Sequence, residues 1–599
     1  MTDTNKLVTE NIELWTSAIK KRNSQGRGSS KKTELVGINK LRELILELAV
    51  RGKLVQQEPT DEPARELLEK ITVKKNELIN QGKIKKQKNL FKLSDDEKPF
   101  ELKLGWEFTR LENLTELITK GSSPKWQGVS YTDDKSDILF VTSENVGAFE
   151  LLLDKKKFVE KKFNEIEPRS ILKKNDLLMN IVGASIGRTA TYDIDDLANI
   201  NQAVCLIRTF PEYFTVAYSL IFFNSPVCIS YMYDKQVDNA RPNLSMSNIS
   251  KFVIPVPPLA EQKRIVAKVD ELMLLCDDLE QQTEESISAH QTLVEVLLAT
   301  LINPTPTISD KADTFQQNWQ RIAENFNVLF TTEHSIEQLK QTILQLAVMG
   351  KLVPQNPKDE PASVLLEKIA GEKEQLIADK KIKKQKALPE ITDKEKPFEL
   401  PSGWELCRLV DLLPQFQNGA SSRGDSDGED IVVLRLADIK NWEMSFADTR
   451  SIAINEKSVE RYTLEKGDVL IIRVNGSADI VGRFITCHQN HDAIYCDHFI
   501  RMRFPIECFS SSYLSLLGSS SMIRDKISEL FISTAGQKTV NQKHIGSLMV
   551  TLPPLAEQHR IVTKVDELMS LCEQLKNRLK DAQSTQLQLA DTIVAQAVN

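Results

Sequence analysis

The chain has 599 residues, well past the roughly 250–300 at which one hydrophobic core stops growing, so at least two domains are expected. Hydrophobic content of 41% and charged content of 27% place it among ordinary globular proteins. An apolar run such as TVAYSLIFF at 215–223 is too short for the ~20 residues of a membrane span. The net charge of -7 argues mildly against a free-standing nucleic-acid binder. Charge alternates in sign, however, so a local basic surface is compatible with it, and partners could supply much of the phosphate contact. The start, MTDTNKLVTENIELW, lacks the pattern of a signal peptide. Eight scattered cysteines read as reduced thiols. The expected location is cytoplasmic, with no membrane partner.

Residues 1–33 are expected to be a flexible N-terminal tail, basic at KRNSQGRGSSKK (21–32). Residues 34–99 form a helical element, A. Leu41, Leu44, Ile45 and Leu48 share one helix face, Gly52 is a plausible stop, and a second helix follows from about Pro63 to Ile79. Residues 100–256 read as mixed α/β, with strand-like runs ILFVTS (138–143), DLLMNIV (176–182) and AVCLIRTF (203–210). At 257–303 the paired prolines of PPLAEQKRIVAKVDELMLLC open a helix, B. Its apolar stripe of Ile265, Val269, Leu272, Cys276 and Leu279 suits packing along another helix. A Pro/Thr-rich linker with a short helical stretch occupies 304–333.

The same order then returns. LKQTILQLAVMGKLVPQNPKDEPASVLLEKI, from Leu339, repeats LRELILELAVRGKLVQQEPTDEPARELLEKI, from Leu41, at most positions without a gap. Element A′ spans 334–397. A second variable region, 398–552, carries the strand-like runs DVLIIRV (468–474) and FIRMRF (499–504). PPLAEQHRIVTKVDELMSLC opens element B′ at 553–599. The two variable regions share only a skeleton: ILKKNDLLMNIVGASIGRTA parallels TLEKGDVLIIRVNGSADIVGRFI, and NQAVCLIRTF parallels CDHFIRMRF. One duplicated framework therefore carries two divergent modules.

These residues carry a family resemblance. The twice-repeated PPLAEQ-x-RIV-x-KVDELM-x-LC resembles the conserved helix of type I restriction-modification specificity subunits. KKNDLL…GASIGRTA and EKGDVL…GSADIVGR resemble an element of their target-recognition domains. ARPNLSMSNISKFVIPVPPLAEQ and GQKTVNQKHIGSLMVTLPPLAEQ resemble the close of such a domain. The resemblance spans 34–599 and points to the longer branch of the family. It departs at Asn175-Asp176, where the second module has Gly467-Asp468. It implies an α+β fold: two mixed α/β target-recognition domains separated by long antiparallel conserved helices, in a pseudo-two-fold tandem duplication. It also implies that each domain reads one half of an asymmetric double-stranded DNA target. The implied partners are two methyltransferase subunits and two restriction-translocation subunits. Those partners would use S-adenosylmethionine, ATP and Mg²⁺, with no cofactor bound by this chain. A helical adaptor displaying two protein-binding modules is the alternative.

No catalytic motif is visible in the sequence. Neither proline pair is followed by an aromatic residue, unlike the Asn/Asp-Pro-Pro-aromatic motif of adenine methyltransferases. Gly52-Lys53 and Gly350-Lys351 are each followed by Leu, so neither is a phosphate loop. The Glu101-Leu102-Lys103 triplet has Pro401 in place of Lys in the second copy, which makes it a poor nuclease signature. No histidine precedes His290. Cys487, His488, His491, Cys496 and His498 form a local cluster without the spacing of a zinc finger. ITCHQNHDAIYCDHF reads instead as a hairpin of two strands around a polar turn, so no metal site is expected. Arg suits guanine, Asn and Gln suit adenine, and Lys and Ser suit phosphate. The candidate DNA-binding residues are therefore Asn180, Arg188, Arg241 and Asn243 in the first module. In the second they are Arg473, Asn475, Ser477, Arg483, Gln537 and Lys538.

Overall fold

The two PPLAEQ segments each begin a helix of 44 residues, Leu259–Ile302 and Leu555–Val598. The expected stripe is their inner face: Ile265, Val269, Leu272, Cys276, Ile561, Val565 and Cys572 are buried. A computed structural model describes residues 4–21, 33–85, 93–235, 243–303, 311–382, 389, 391–392, 395–421, 424, 428–440, 442–504, 509–534 and 536–598. The chain forms two units, Met1–Ser286 with Asp581–Asn599, and Ile287–Lys580. The helix Leu259–Ile302 begins in unit 1 and ends in unit 2, and Leu555–Val598 begins in unit 2 and ends in unit 1.

Each unit has the same plan. In unit 1 the helix Val36–Val50 buries Ile38, Leu41, Leu44, Ile45 and Leu48, and stops at Gly52, whose φ of +69° disfavours any side chain. The helix Ala64–Asn80 follows directly after Pro63. Unit 2 repeats this with Glu333–Val348, Gly350 at φ +69°, and Ala362–Ala378. The Gly-Lys pairs have a structural use. Lys53 Nζ donates to the carbonyl of Val598 at 2.6 Å. Lys351 Nζ donates to those of Leu301 and Ile302 at 3.5 and 3.1 Å. Each lysine thus caps the open carbonyls and negative dipole end of a long helix.

These contacts bring the chain's two end segments together within unit 1. Lys40 is ion-paired with Asp591, and Arg42 pairs with Asp277 and Glu280 at 2.7 and 2.6 Å. In unit 2 the equivalent helix pairs Lys340 with Glu573 at 2.8 Å, and it shares a core with Val294, Leu298 and Leu301. The expectation of a flexible tail over 1–33 needs correction for its first part. Thr4–Thr9 and Ile12–Ser17 are helices, and Trp15 and Ala18 are fully buried. Gly37 N donates to Ala18 O at 2.8 Å, and a Cβ at Gly37 would lie 2.3 Å from Trp15 O. In unit 2 the helices Lys311–Glu324 and Phe326–Leu329 precede the equivalent helix, and Ile322 and Leu329 join its core. The basic run 22–32 and residues 304–310 of the linker lie outside the described residues.

The modules share one topology. The first has a four-stranded antiparallel sheet ordered Thr115–Lys120, Val204–Thr209, Asp176–Asn180, Thr189–Tyr192. The second repeats it with Gln415–Asn418, Phe499–Arg503, Val469–Ile472, Phe484–Thr486. A further sheet places Ala198–Ile200 parallel to Ile138–Val141, and Ala493–Tyr495 parallel to Glu429–Leu434. All five strand-like runs contain strands. The hairpin reading of 485–499 is corrected: Phe484–Thr486 and Ala493–Tyr495 are strands, but they belong to different sheets. No single helix among the described residues is long and apolar enough to cross a membrane. The bent pair Val216–Phe223 and Pro226–Tyr233 passes such a test only by length and composition, and it buries Tyr218, Phe222, Phe223, Cys228 and Met232 in the module.

Each module begins and ends on one two-stranded ladder, Glu107–Arg110 with Val253–Val256 and Glu405–Arg408 with Met549–Leu552. This sets the module on the PPLAEQ turn. Gln262 is wholly buried; its amide donates to Tyr213 O and Pro257 O, and its oxygen accepts from Thr215 N at 2.9 Å. Gln558 does the same with Pro553 O and Ser510 N. Glu261 accepts from the indole of Trp106 at 3.0 Å, and Glu557 from that of Trp404 at 3.1 Å. Burial pushes both carboxyl pKa values up, against the indole hydrogen bonds that favour the charged form. Arg264 and Arg560 pair with Asp61 and Asp359 of the A elements at 2.6 and 2.7 Å.

Two outcomes follow. Linking the chain ends with a flexible linker and opening the chain between Asn303 and Lys311 should give a permutant that folds; loss of cooperative melting across several linker lengths would contradict the closure. Replacing Gln558 by Ala strands a buried N–H and a buried carbonyl. It should cost about 2–4 kcal/mol in denaturant unfolding of unit 2.

Candidate nucleic-acid interface

In each module the Gly-Arg loop and the loop closing the module lie side by side. In the first, Asn180 N donates to Arg188 O and Gly187 N to Asn180 O, both at 2.9 Å. Leu244 N donates to Ile181 O at 2.9 Å, and Asn243 bridges Val182. In the second, Ile472 N donates to Arg483 O at 3.0 Å and Gly482 N to Ile472 O at 2.7 Å. Val474–Asn475 pairs antiparallel with Lys538–Thr539, and Val540 N donates to Arg473 O at 3.0 Å. One backbone frame thus presents two different sets of side chains.

The shared residues hold this frame. Gly187 and Gly482 have φ of +90° and +76°. A Cβ there would lie 3.0 Å from Met232 Sδ or 2.5 Å from Ile527 Cγ2, so both positions require glycine to pack on the neighbouring helix. Asp176 and Asp468 are buried and bind Arg208 and Arg503 through two hydrogen bonds each, at 2.6–2.7 Å. Asn175 at φ +75° and Gly467 at φ +95° make the same left-handed turn, which Asn tolerates. The Asn175 departure is therefore conservative in shape.

The sequence-predicted residues separate clearly. Asn180 is a correction: it is 0% exposed and cannot reach DNA. Its amide donates to Ser143 O, Val146 O and Ser185 Oγ, tying the loop to the preceding hairpin. The same position in the second module is buried Ile472. Arg188 is exposed beside half-buried Asn243. Arg241 lies outside the described residues. In the second module Arg473, Asn475, Ser477, Arg483, Gln537 and Lys538 all gather around residues 473–483 and the strand Gln537–Thr539. Asn475 Oδ1 accepts from Ser477 N at 2.9 Å and shapes the turn, and Arg473 Nη1 donates to Asp497 O at 3.3 Å. Gln537 is exposed and Lys538 half-exposed.

Arg524 belongs to this group and was missed in the sequence. Its guanidinium donates to Val481 O and Ala478 O at 2.8 and 2.7 Å. Burial, and then the nearby Arg483, bring its pKa down to about 10. Burial lowers that of Arg483 as well. Two partly desolvated cations thus stand side by side, with Asp479 the acid that acts on both. Ile229 stands where Arg524 does, three residues beyond the matching helix start, so only the folded module marks this arginine out.

The Cys/His cluster is dispersed. Cys487 Sγ donates to Gln489 O, and His491 stacks on Phe446 with centroids 4.1 Å apart. Among the described residues, Cys496, Asp497 and His498 bring potential ligand atoms within 4.8 Å of one another. Burial holds the pKa of the Cys496 thiol up at about 11.

The modules coincide with a known domain: the type I restriction modification DNA specificity domain matches residues 103–289 and again 401–582. The chain belongs to the family of type I restriction-modification specificity subunits, the chains that target such complexes and do not themselves act catalytically. It is 39% identical over 617 residues to the type I restriction enzyme EcoEI specificity subunit of Escherichia coli, covering 99% of each chain. It is 38% identical to the EcoAI specificity subunit of the same organism, again over 99% of each. The crystal structure of the HsdS subunit from Thermoanaerobacter tengcongensis aligns at 17% identity with a TM-score of 0.39, over 84% of this chain and 98% of that one.

The division between frame and contact residues is testable. Asn180→Ala should cost about 1–3 kcal/mol of stability, with no change in the DNA sequence recognised. Arg483→Ala should leave stability nearly intact and weaken DNA binding in a salt-dependent way, with a shallower salt slope than the parent. Binding isotherms at several salt concentrations separate the two.

Proposed function

We propose that each module reads one half of a split, asymmetric double-stranded DNA target, the first through Asn243 and the second through Arg473, Gln537 and Lys538, while the shared Arg188 and Arg483 hold the phosphate backbone. The observation carrying this reading is the duplicated backbone frame with non-matching side chains at its exposed loops. Shared glycines and buried Asp–Arg pairs fix the frame; residues that differ between modules specify sequence. The long helices set the spacer between half-sites and dock two methyltransferase subunits, to which two restriction-translocation subunits attach in the cytoplasm. S-adenosylmethionine, ATP and Mg²⁺ belong to those partners, and none is bound by this chain.

Exchange of 100–256 for the corresponding region of another family member tests modularity. In the complex with its methyltransferase partners, methylation mapping should show one half-site changed and the other kept. A change in both would contradict independent modules. Four residues inserted into each long helix, next to Ser286 and Lys580, add about 6 Å. That is comparable to one or two base pairs at roughly 3.4 Å each. The mapped spacer should lengthen while both half-sites persist; an active variant with an unaltered spacer would assign the ruler to the partner subunits.

A further inference from the structure

Beside each Gly-Arg loop stands a small hairpin, and the two hairpins are the same element. Each follows the strand of the parallel pair, Ile138–Val141 or Glu429–Leu434. In the first, Thr142 N donates to Asn145 Oδ1 at 3.0 Å and Leu152 N to Asn145 O at 2.8 Å. In the second, Arg435 N donates to Asp438 Oδ2 and Ser445 N to Asp438 O, both at 2.8 Å. Val146 then bridges Leu151, as Ile439 pairs with Met444. Four residues beyond the Asn or Asp, each hairpin carries an aromatic side chain: Phe149 in one, Trp442 in the other.

Both aromatics have left-handed backbone, φ +71° at Phe149 and +65° at Trp442. That region is costly for a bulky side chain and persists only where the surroundings enforce it. Both rings are also left outside the core, 37% and 47% exposed. Neither position serves folding well, yet both modules use it. The setting is the candidate DNA surface in each case. Phe149 N donates to Thr189 O at 2.9 Å, next to Arg188, and the hairpin base is held by Asn180. The guanidinium of Arg483 lies over the Trp442 ring, 4.5 Å from its centroid.

We propose that Phe149 and Trp442 are specificity-determining residues, one aromatic probe per module. Each presses against the bases of its half-site while the adjacent Gly-Arg arginine holds the backbone. An aromatic face offers apolar contact to a thymine methyl or an unstacked base step, which a purely polar loop lacks. The inference rests on the reading that the Gly-Arg loops face DNA.

The test uses the full chain assembled with its methyltransferase partners, and duplexes bearing single base-pair changes throughout both half-sites. Trp442→Ala should slow methylation of the intact target at least tenfold. It should relax discrimination only within the half-site assigned to 398–552 by module exchange. Phe149→Ala should do the same in the other half-site. Trp442→Phe should retain most discrimination, and melting temperatures should be unchanged or raised. Unaltered discrimination in both alanine variants, while Arg483→Ala still weakens binding, would overturn the aromatic role and leave the DNA-facing loops standing. Module exchange that changes neither half-site would overturn the underlying reading along with it.

Discussion

A glutamine and a glutamate at the start of each long helix hold together everything else. Gln262 and Gln558 reach into the module and fasten the first turn of its most apolar helix. Glu261 and Glu557 reach the other way, to the tryptophan at the module's entrance. The same helices then pair with the A elements through Arg264 and Arg560. Removing one member of such a buried network strands its partner without a hydrogen bond, so it tolerates little substitution. That explains why PPLAEQ is nearly identical in two repeats whose modules have otherwise diverged. The helix binds not a particular module but the invariant backbone at which any such module begins and ends.

That division also explains why DNA-reading chemistry can vary on a fixed frame. The Gly-Arg loop is constrained from behind by glycines packed against a helix, and Asp176–Arg208 and Asp468–Arg503 tie down the far end of the strand that leads into it. Its outer face is free of these constraints. Arg524 replaces Ile229 with little effect on the helix it sits on, and adds a cation to one module alone.

Much of the fold was legible because its signals are periodic or repeated. Helical stripes, strand runs and the tandem order need only sequence spacing. The candidate site was less legible. Asn180 looks like a reader by residue type, but its strand is buried on both faces and its amide is spent on the neighbouring hairpin, where Ile472 lies in the other module. Trp442 and Arg524 carry no local motif; they join the site through a hairpin and a helix distant in sequence. The Gly-Lys pairs show the same limit in reverse. They resembled broken phosphate loops, and their meaning depends on the end of another helix, hundreds of residues away. The buried Trp15 segment was misread as a tail because its two short helices gain stability only from packing on Gly37.

The interleaving of the units has a consequence for synthesis. Unit 2 draws on one continuous stretch, 287–580, whereas unit 1 needs both 1–286 and 581–599. On the ribosome the module made first therefore waits longest for its final packing partner. Lys53 and Lys40 find their acceptors only after the second long helix has emerged. A chain cut short after residue 580 keeps all the residues of the second module's unit and leaves the first without the helix end on which Lys40 and Lys53 close.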